Sequence, residues 1–365
     1  MAPTIIRPSV VTAHAPTVTF EYGAYDVEVA CRARSRSSSQ GIAGEELTPK
    51  QYTSPCVNNF RISPLTISDE VSSSLAEGRS VVALETTIVV QGLPSPTNLE
   101  VAAECEAAVR AGGAVPATIG VIDGRIVVGL TTAELARLAE SDRHAAKLSA
   151  RDLGLSLALK RDGATTVAGT IAVASRVGID VMATGGLGGV HRDARESYDE
   201  SADLTSLSRN QVLVVASGVK SILDVGATLE RLDTLGVPVA GYQTDRFPGF
   251  YKRDSGFGVE WSLADEVEAA AAFMIHSELS TTGFLVANPV AEDHELSSDK
   301  HDAALASALE RAKSLGVSGK EVTPVLLAEF ARYTEGESVV VNRHLVVANA
   351  GLAGRIATAI ARNRT

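Results

Sequence analysis

Apolar runs alternating with helix-patterned segments constrain this chain more than any other feature. The runs are "VVALETTIVV" from Val81 to Val90, "IDVMATGG" from 179 to 186, "QVLVVASG" from 211 to 218 and "VPVAGY" from 237 to 242. Runs this apolar and rich in β-branched residues suit strands buried on both faces. Between and after them, "TNLEVAAECEAAVRAGG", "GATTVAGTIAVASRVG", "KSILDVGATLERLDTLG" and "SLADEVEAAAAFMIHSEL" read as helices. In the third, Ile222, Val225, Leu229 and Leu232 share one face, with charge opposite. Strands separated by helices of this length predict an α/β fold, three-layer α/β/α, with a mostly parallel central sheet flanked by helices. Asp123-Gly124 marks a hairpin. Thr97 with Glu100, and Thr131 with Glu134, have capping-box spacing.

The pattern begins only after the first sixty or so residues. "CRARSRSSSQGIAGEELTPKQYTSPCVNN" is rich in Ser, Arg and Gly and has no period. Residues 1–62 are therefore expected to be a flexible extension, a linker or targeting segment, and 63–365 a single domain. Glu21, Asp26 and Glu28 come too early for an acid-poor transit peptide. A cytoplasmic location is expected, with a peroxisome or another organelle as the alternative, because "RPSVVTAHA" loosely follows an amino-terminal peroxisomal signal. A net charge of −11 argues against nucleic acid as a partner, since phosphate backbones require a basic surface. No run approaches a membrane span, so no membrane partner is expected. Cys31, Cys56 and Cys105 have neither metal nor disulfide spacing, which fits a reducing compartment.

Four constellations could carry chemistry. Glu85 interrupts the first apolar run, where a carboxylate is costly unless paired or protonated. It is either tied structurally to a backbone group or an Arg, or it is a general acid or base raised by apolar surroundings. Lys220 follows a strand and a Gly turn at an expected helix start. Partial desolvation and a helix N-terminus both disfavour ammonium, as a Schiff-base lysine requires; a solvated turn lysine is the plainer alternative. The loop "ESYDESADL", residues 196–204, offers hard oxygen ligands for Mg²⁺ or Mn²⁺ without a fixed spacing, and its Ser201 could simply cap the next helix. "ATGGLGGVHR", residues 183–192, ends a strand with glycines that could cradle an anion, supported by a basic residue such as Lys147. Its spacing is not that of a dinucleotide fingerprint. Together these features suit a Schiff-base enzyme acting on a phosphorylated sugar.

In these stretches the sequence resembles the pseudouridine-5′-phosphate glycosidases. "VALETTIVVQGLPSPTNLEVA", "GAVPATIGVIDGRIVVGL", "KLSARDL", "DGATTVAGT", "ATGGLGGVHR", "ESYDESADL", "VLVVASGVKSILDVGATLE", "GYQTDRFPGFY" and "VANPV" follow one another in that family's order, across about residues 62 to 362. The resemblance implies reversible cleavage of the carbon–carbon glycosidic bond of pseudouridine 5′-phosphate to uracil and ribose 5-phosphate. It implies Lys220 as the nucleophile and Glu85 as the proton donor. Substrate contacts would be Lys147, Val167, Ser201, Ala202, Asp203, Thr184, His191 and Asn342. It also implies Asp199 as ligand of one Mn²⁺ per subunit, with Mg²⁺ as the alternative, and a homotrimer. Thr86 stands where a Ser is common. The readings to be separated from this one are another lysine-dependent lyase or aldolase on sugar phosphates, and a metabolite-binding protein without catalysis.

Overall fold

The computed structural model describes residues 65–140, 145–317 and 322–364, together with Glu21–Tyr22 (β1) and Tyr25–Asp26 (β2), which pair antiparallel. The chain divides into two units, Met1–Phe60 and Arg61–Thr365. Apart from β1 and β2, the extension expected over residues 1–62 lies outside the described residues.

The larger unit is built on one sheet. Its strands are β3 (Leu65–Ile67), β4 (Val81–Leu84), β5 (Val115–Ile122), β6 (Arg125–Val128), β7 (Ala146–Leu148), β8 (Gly163–Thr165), β9 (Val181–Ala183), β10 (Leu213–Ala216), β11 (Val239–Tyr242), β12 (Trp261–Leu263) and β13 (Phe284–Ala287). They lie in the order β12-β11-β13-β10-β9-β4-β5-β6-β3, and β8 joins β5 and carries β7. Among these strands the pairings are parallel except β5–β6 and β5–β8. The expected mostly parallel α/β architecture is therefore present. Asp123 (φ 50°) and Gly124 (φ 72°) make the tight β5–β6 turn, the backbone region that Asp and Gly tolerate.

The helices are α1 (Asp69–Ala76), α2 (Thr97–Ala111), α3 (Thr132–Ala139), α4 (Leu153–Ala158), α5 (Val167–Val177), α6 (Ala194–Ser197), α7 (Ala202–Leu207), α8 (Val225–Thr234), α9 (Glu266–Leu279), α10 (Ser298–Leu315), α11 (Val322–Tyr333) and α12 (Glu337–Arg364). β4, β9, β10 and β13 are buried at every position, which requires cover on both faces. One helical group, α12 with α2 and α9, and another, α5 with α7, supply the outer layers. Each large apolar side chain buried between them, such as Met182, Leu213 or Leu285, contributes about 1.5–3 kcal/mol. α12 is long and apolar enough to cross a membrane, contrary to the sequence expectation. Yet 61% of its apolar window is buried in the fold, and it is a core helix.

Four local expectations are corrected. The strand expected through Val90 stops at Leu84, and Ile88–Gly92 forms a π-helical turn. Thr86 turns the chain by donating its hydroxyl to the Ile119 carbonyl (2.9 Å), and Val89 then enters a second apolar cluster under α2 and α3. No box forms at Thr97, because Pro96 occupies the cap position; at Thr131 the box is complete. The helix expected over 163–178 is β8 followed by α5, with Thr166 as the capping residue. The helix expected from Lys220 starts only at Val225, capped by the Asp224 carboxylate.

Candidate active site

The carboxyl ends of β4, β7, β8, β9 and β10 open into a cleft of about 270 Å³, walled further by α7, α11 and α12. Open α/β sheets bind ligands at this edge. Every site residue expected from the sequence lines it: Glu85, Lys147, Val167, Thr184, His191, Asp199, Ser201, Ala202, Asp203, Lys220 and Asn342.

Glu85 is the first residue beyond β4, not a member of it. It is half-buried, and the Thr184 hydroxyl donates to its Oε1 at 2.5 Å. Loss of hydration raises its carboxyl above the usual value; Lys220, the Thr184 hydroxyl and Lys147 oppose this, and Asp203 adds to it. The chain around it is fixed from behind: Thr165 N–H donates to Thr86 Oγ1 (2.9 Å), and Thr87 Oγ1 donates to the Thr165 carbonyl (2.8 Å).

Lys220 sits in the connection between β10 and α8. Its N–H donates to the Leu187 carbonyl (3.1 Å), which lies in the glycine loop after β9. α8 begins beyond Asp224, so the helix end expected at Lys220 is not there; Lys220 is half-buried in the cleft that also holds Glu85.

The glycine loop is held by Asp203. Its Oδ2 accepts the Gly188 N–H and its Oδ1 the Ala168 N–H, both at 2.9 Å. A Cβ on Gly188 would lie 2.3 Å from Ser201 Oγ, so a side chain there would drive the loop off α7. The N–H of Gly188 thus serves the fold rather than a bound anion. Ser201 caps α7, its hydroxyl accepting the Asp203 N–H at 3.2 Å, as its position in the sequence suggests. Ala202 follows it on the rim.

Across the loop, His191 Nε2 lies 3.8 Å from Asp199 Oδ2, and the His191 N–H donates to the Asp199 carbonyl. Glu200 is paired with Arg231 at 2.8 Å, and Asp203 is committed to backbone. Among the described residues no three His, Cys, Asp or Glu side chains gather into a metal cage. In this loop Asp199 is the carboxylate left to face the cleft, which fits an Mg²⁺- or Mn²⁺-type ion that keeps most of its waters and does not fit an all-protein site.

Lys147 on β7 and Val167 at the start of α5 line the opposite wall. Asn342 enters from α12, buried, and among the described residues its Oδ1 has no hydrogen-bond partner, so this acceptor is available to a ligand's N–H or O–H. Sequence reasoning missed Phe250, a buried cleft residue at φ 65°, and the α11 side chains Thr323 and Leu327. "GYQTDRFPGFY" signalled the first; nothing in α11 stands out as a motif.

Residues 70–359 match the family described as Indigoidine synthase A like protein. Pseudouridine-5′-phosphate glycosidase from Salinispora tropica is 56% identical over 294 residues, covering 80% of this chain and 90% of that protein. The enzyme of that name from Streptomyces griseus is 51% identical over 86% of this chain and 96% of its own length. Among solved structures, the prealnumycin C-glycosynthase AlnA in complex with ribulose 5-phosphate superposes with a TM-score of 0.76 at 39% identity, covering 82% of this chain and 98% of that one. An indigoidine synthase A-like protein from Thermotoga maritima gives 0.74 at 36%, covering 82% and 97%.

Proposed function

The chain belongs to the pseudouridine-5′-phosphate glycosidase family, and from that premise we propose that its cleft cleaves pseudouridine 5′-phosphate reversibly to uracil and ribose 5-phosphate. The observation that supports this most is the meeting of Glu85 and Lys220 in one cleft at the strand ends.

The chemistry explains why a lysine is needed. An ordinary nucleoside releases its base through nitrogen, which accepts the departing electrons; here the leaving atom is uracil C5, a poor carbanion. Lys220 Nζ replaces O4′ at C1′ as the sugar ring opens, and the ring oxygen takes a proton. The electrons of the C1′–C5 bond then return to the base, C5 takes a proton, and C1′ remains as an imine on Lys220. Water hydrolyses the imine, freeing ribose 5-phosphate and the amine. Glu85, raised by its surroundings, is the proton carrier. Thr184 orients it. Lys147, Val167, Thr184, His191, Ser201 and Ala202 would hold the sugar phosphate, on the loop that Asp203 fixes; Asn342 would meet the base or sugar.

Asp199 would hold one Mn²⁺, or Mg²⁺, largely through the ion's waters. Such an ion supplies positive charge for the substrate's anionic end. The homotrimer also belongs to this reading: Trp261 on edge strand β12 and Val267, Ile275 and Leu279 on α9 are exposed apolar side chains that an assembly would cover.

The test is to mix the protein with uracil, ribose 5-phosphate and Mn²⁺ and to follow products by mass spectrometry. Pseudouridine 5′-phosphate is expected, lost in chelator and restored by added Mn²⁺. Adduct formation with ribose 5-phosphate while uracil is untouched would replace this substrate with that of another sugar-phosphate lyase. Binding without product or adduct would leave a metabolite-binding protein.

A further inference from the structure

We infer that Asn349 is a positioning residue for the proton donor, acting through Thr184. It stands in the middle of α12, fully buried among apolar residues, where an amide is costly unless its hydrogen bonds are made. They are made to the carboxyl ends of three central strands. Its Nδ2 donates to the Thr184 carbonyl (2.8 Å), the Gly185 carbonyl (3.4 Å) and Ser217 Oγ (3.1 Å), beyond β9 and β10. Its Oδ1 accepts from Asn288 Nδ2 (2.9 Å), beyond β13. Two carbonyls on one side admit only the amide nitrogen there, and the Asn288 donor fixes the flip from the other.

The link to chemistry is Thr184. Its backbone carbonyl is held by Asn349 while its hydroxyl holds Glu85 Oε1 at 2.5 Å. The same residue's N–H is bound to the Val215 carbonyl (3.0 Å). Losing the Asn349 donor therefore leaves the N–H end of Thr184 fixed and its carbonyl unpaired, held through the next residue, where the Ser217 N–H binds the Gly185 carbonyl (2.9 Å). A small displacement lengthens the hydrogen bond to Glu85. Misplacements of this kind cost rate more than affinity, because reacting groups must meet in a narrow geometry. Nothing in packing alone requires the amide, since the rest of this stretch of α12, including Leu345, Val346, Ala350 and Leu352, is apolar core.

The inference rests on Glu85 as the proton donor proposed above, so the wild-type enzyme is assayed first. Absence of wild-type turnover would overturn that reading, and a titration of the Glu85 carboxyl by ¹³C NMR still tests Asn349. Asn349→Leu, uncharged and similar in size, should lower kcat by about 10- to 100-fold with KM within about threefold. The pH at which the rate falls, and the Glu85 titration, should move upward, because a weakened Thr184 bond no longer favours the charged carboxylate. Thr184→Val should move both in the same direction. The double variant should move them no further than Thr184→Val alone, the non-additivity expected of residues acting in series. Asn288→Ala, one contact removed, should give a smaller shift of the same sign and decides the matter should Asn349→Leu not fold. A folded Asn349→Leu or, failing that, Asn288→Ala with wild-type kcat and an unmoved titration would overturn the inference. So would fully additive effects with Thr184→Val.

Discussion

Glu85 and Asp203 are carboxylates on the same cleft with opposite surroundings. Both oxygens of Asp203 accept backbone N–H groups, so the group is spent on holding the glycine loop to α5 and α7. Among the described residues Glu85 accepts from the Thr184 hydroxyl, and loss of hydration raises its carboxyl. Burial alone therefore does not mark a reactive group. A carboxylate bound twice by backbone is part of the frame, whereas one poorly hydrated and bound once by a side chain can exchange a proton. Sequence analysis placed Asp203 among the substrate contacts; its geometry makes it the clamp on which those contacts depend.

That contrast can be broken by substitution. Glu85→Gln should give the largest effect, a loss of about 10²- to 10⁴-fold in kcat, the usual contribution of a positioned acid or base. Its stability should not fall. A carboxyl raised in the folded state lowers stability as pH rises through the folded value, so the melting-temperature advantage of Glu85→Gln over wild type should grow from acidic toward neutral pH. A variant less stable than wild type at neutral pH would contradict this. Thr184→Val should reduce kcat by about 10- to 100-fold, as expected for losing a hydrogen bond to a charged group, and should shift the pH profile upward. A downward shift would mean that the hydroxyl favours the neutral acid.

Asp203→Asn should behave in the reverse way. An amide cannot accept both N–H groups, so unfolding should show a loss of about 1–3 kcal/mol, with activity falling as the loop loosens. Wild-type stability would show that Asp203 does not clamp the loop. Ser201→Ala should be the mildest, about 1 kcal/mol from the lost cap of α7, read from denaturant unfolding.

The sequence carried the fold where local chemistry decided the outcome. The alternation of strands and helices, the Asp123-Gly124 hairpin and the Thr131 capping box all depend on neighbours in the chain. It misled where one residue type serves two structures. The β-branched residues after Glu85 fill a core equally well from a π-helical turn, and Thr97 looks like a cap only until Pro96 takes the position. The cleft's residue types were legible, but their pairing was not. Thr184 reaches Glu85 across 99 positions, and Asn349 reaches Thr184 across 165. Periodicity and spacing carry no trace of such contacts, and Asn349 stands in its helix as one polar residue among many apolar ones.

In the proposed reaction Lys220, and not Lys147, becomes covalent with the sugar. The direct measurement is to reduce the protein with borohydride in the presence of ribose 5-phosphate and to map the modified peptide by mass spectrometry. A sugar-phosphate adduct on Lys220, absent from Lys220→Arg, is the predicted result. An adduct on Lys147, or none in an enzyme that still turns over, would contradict it.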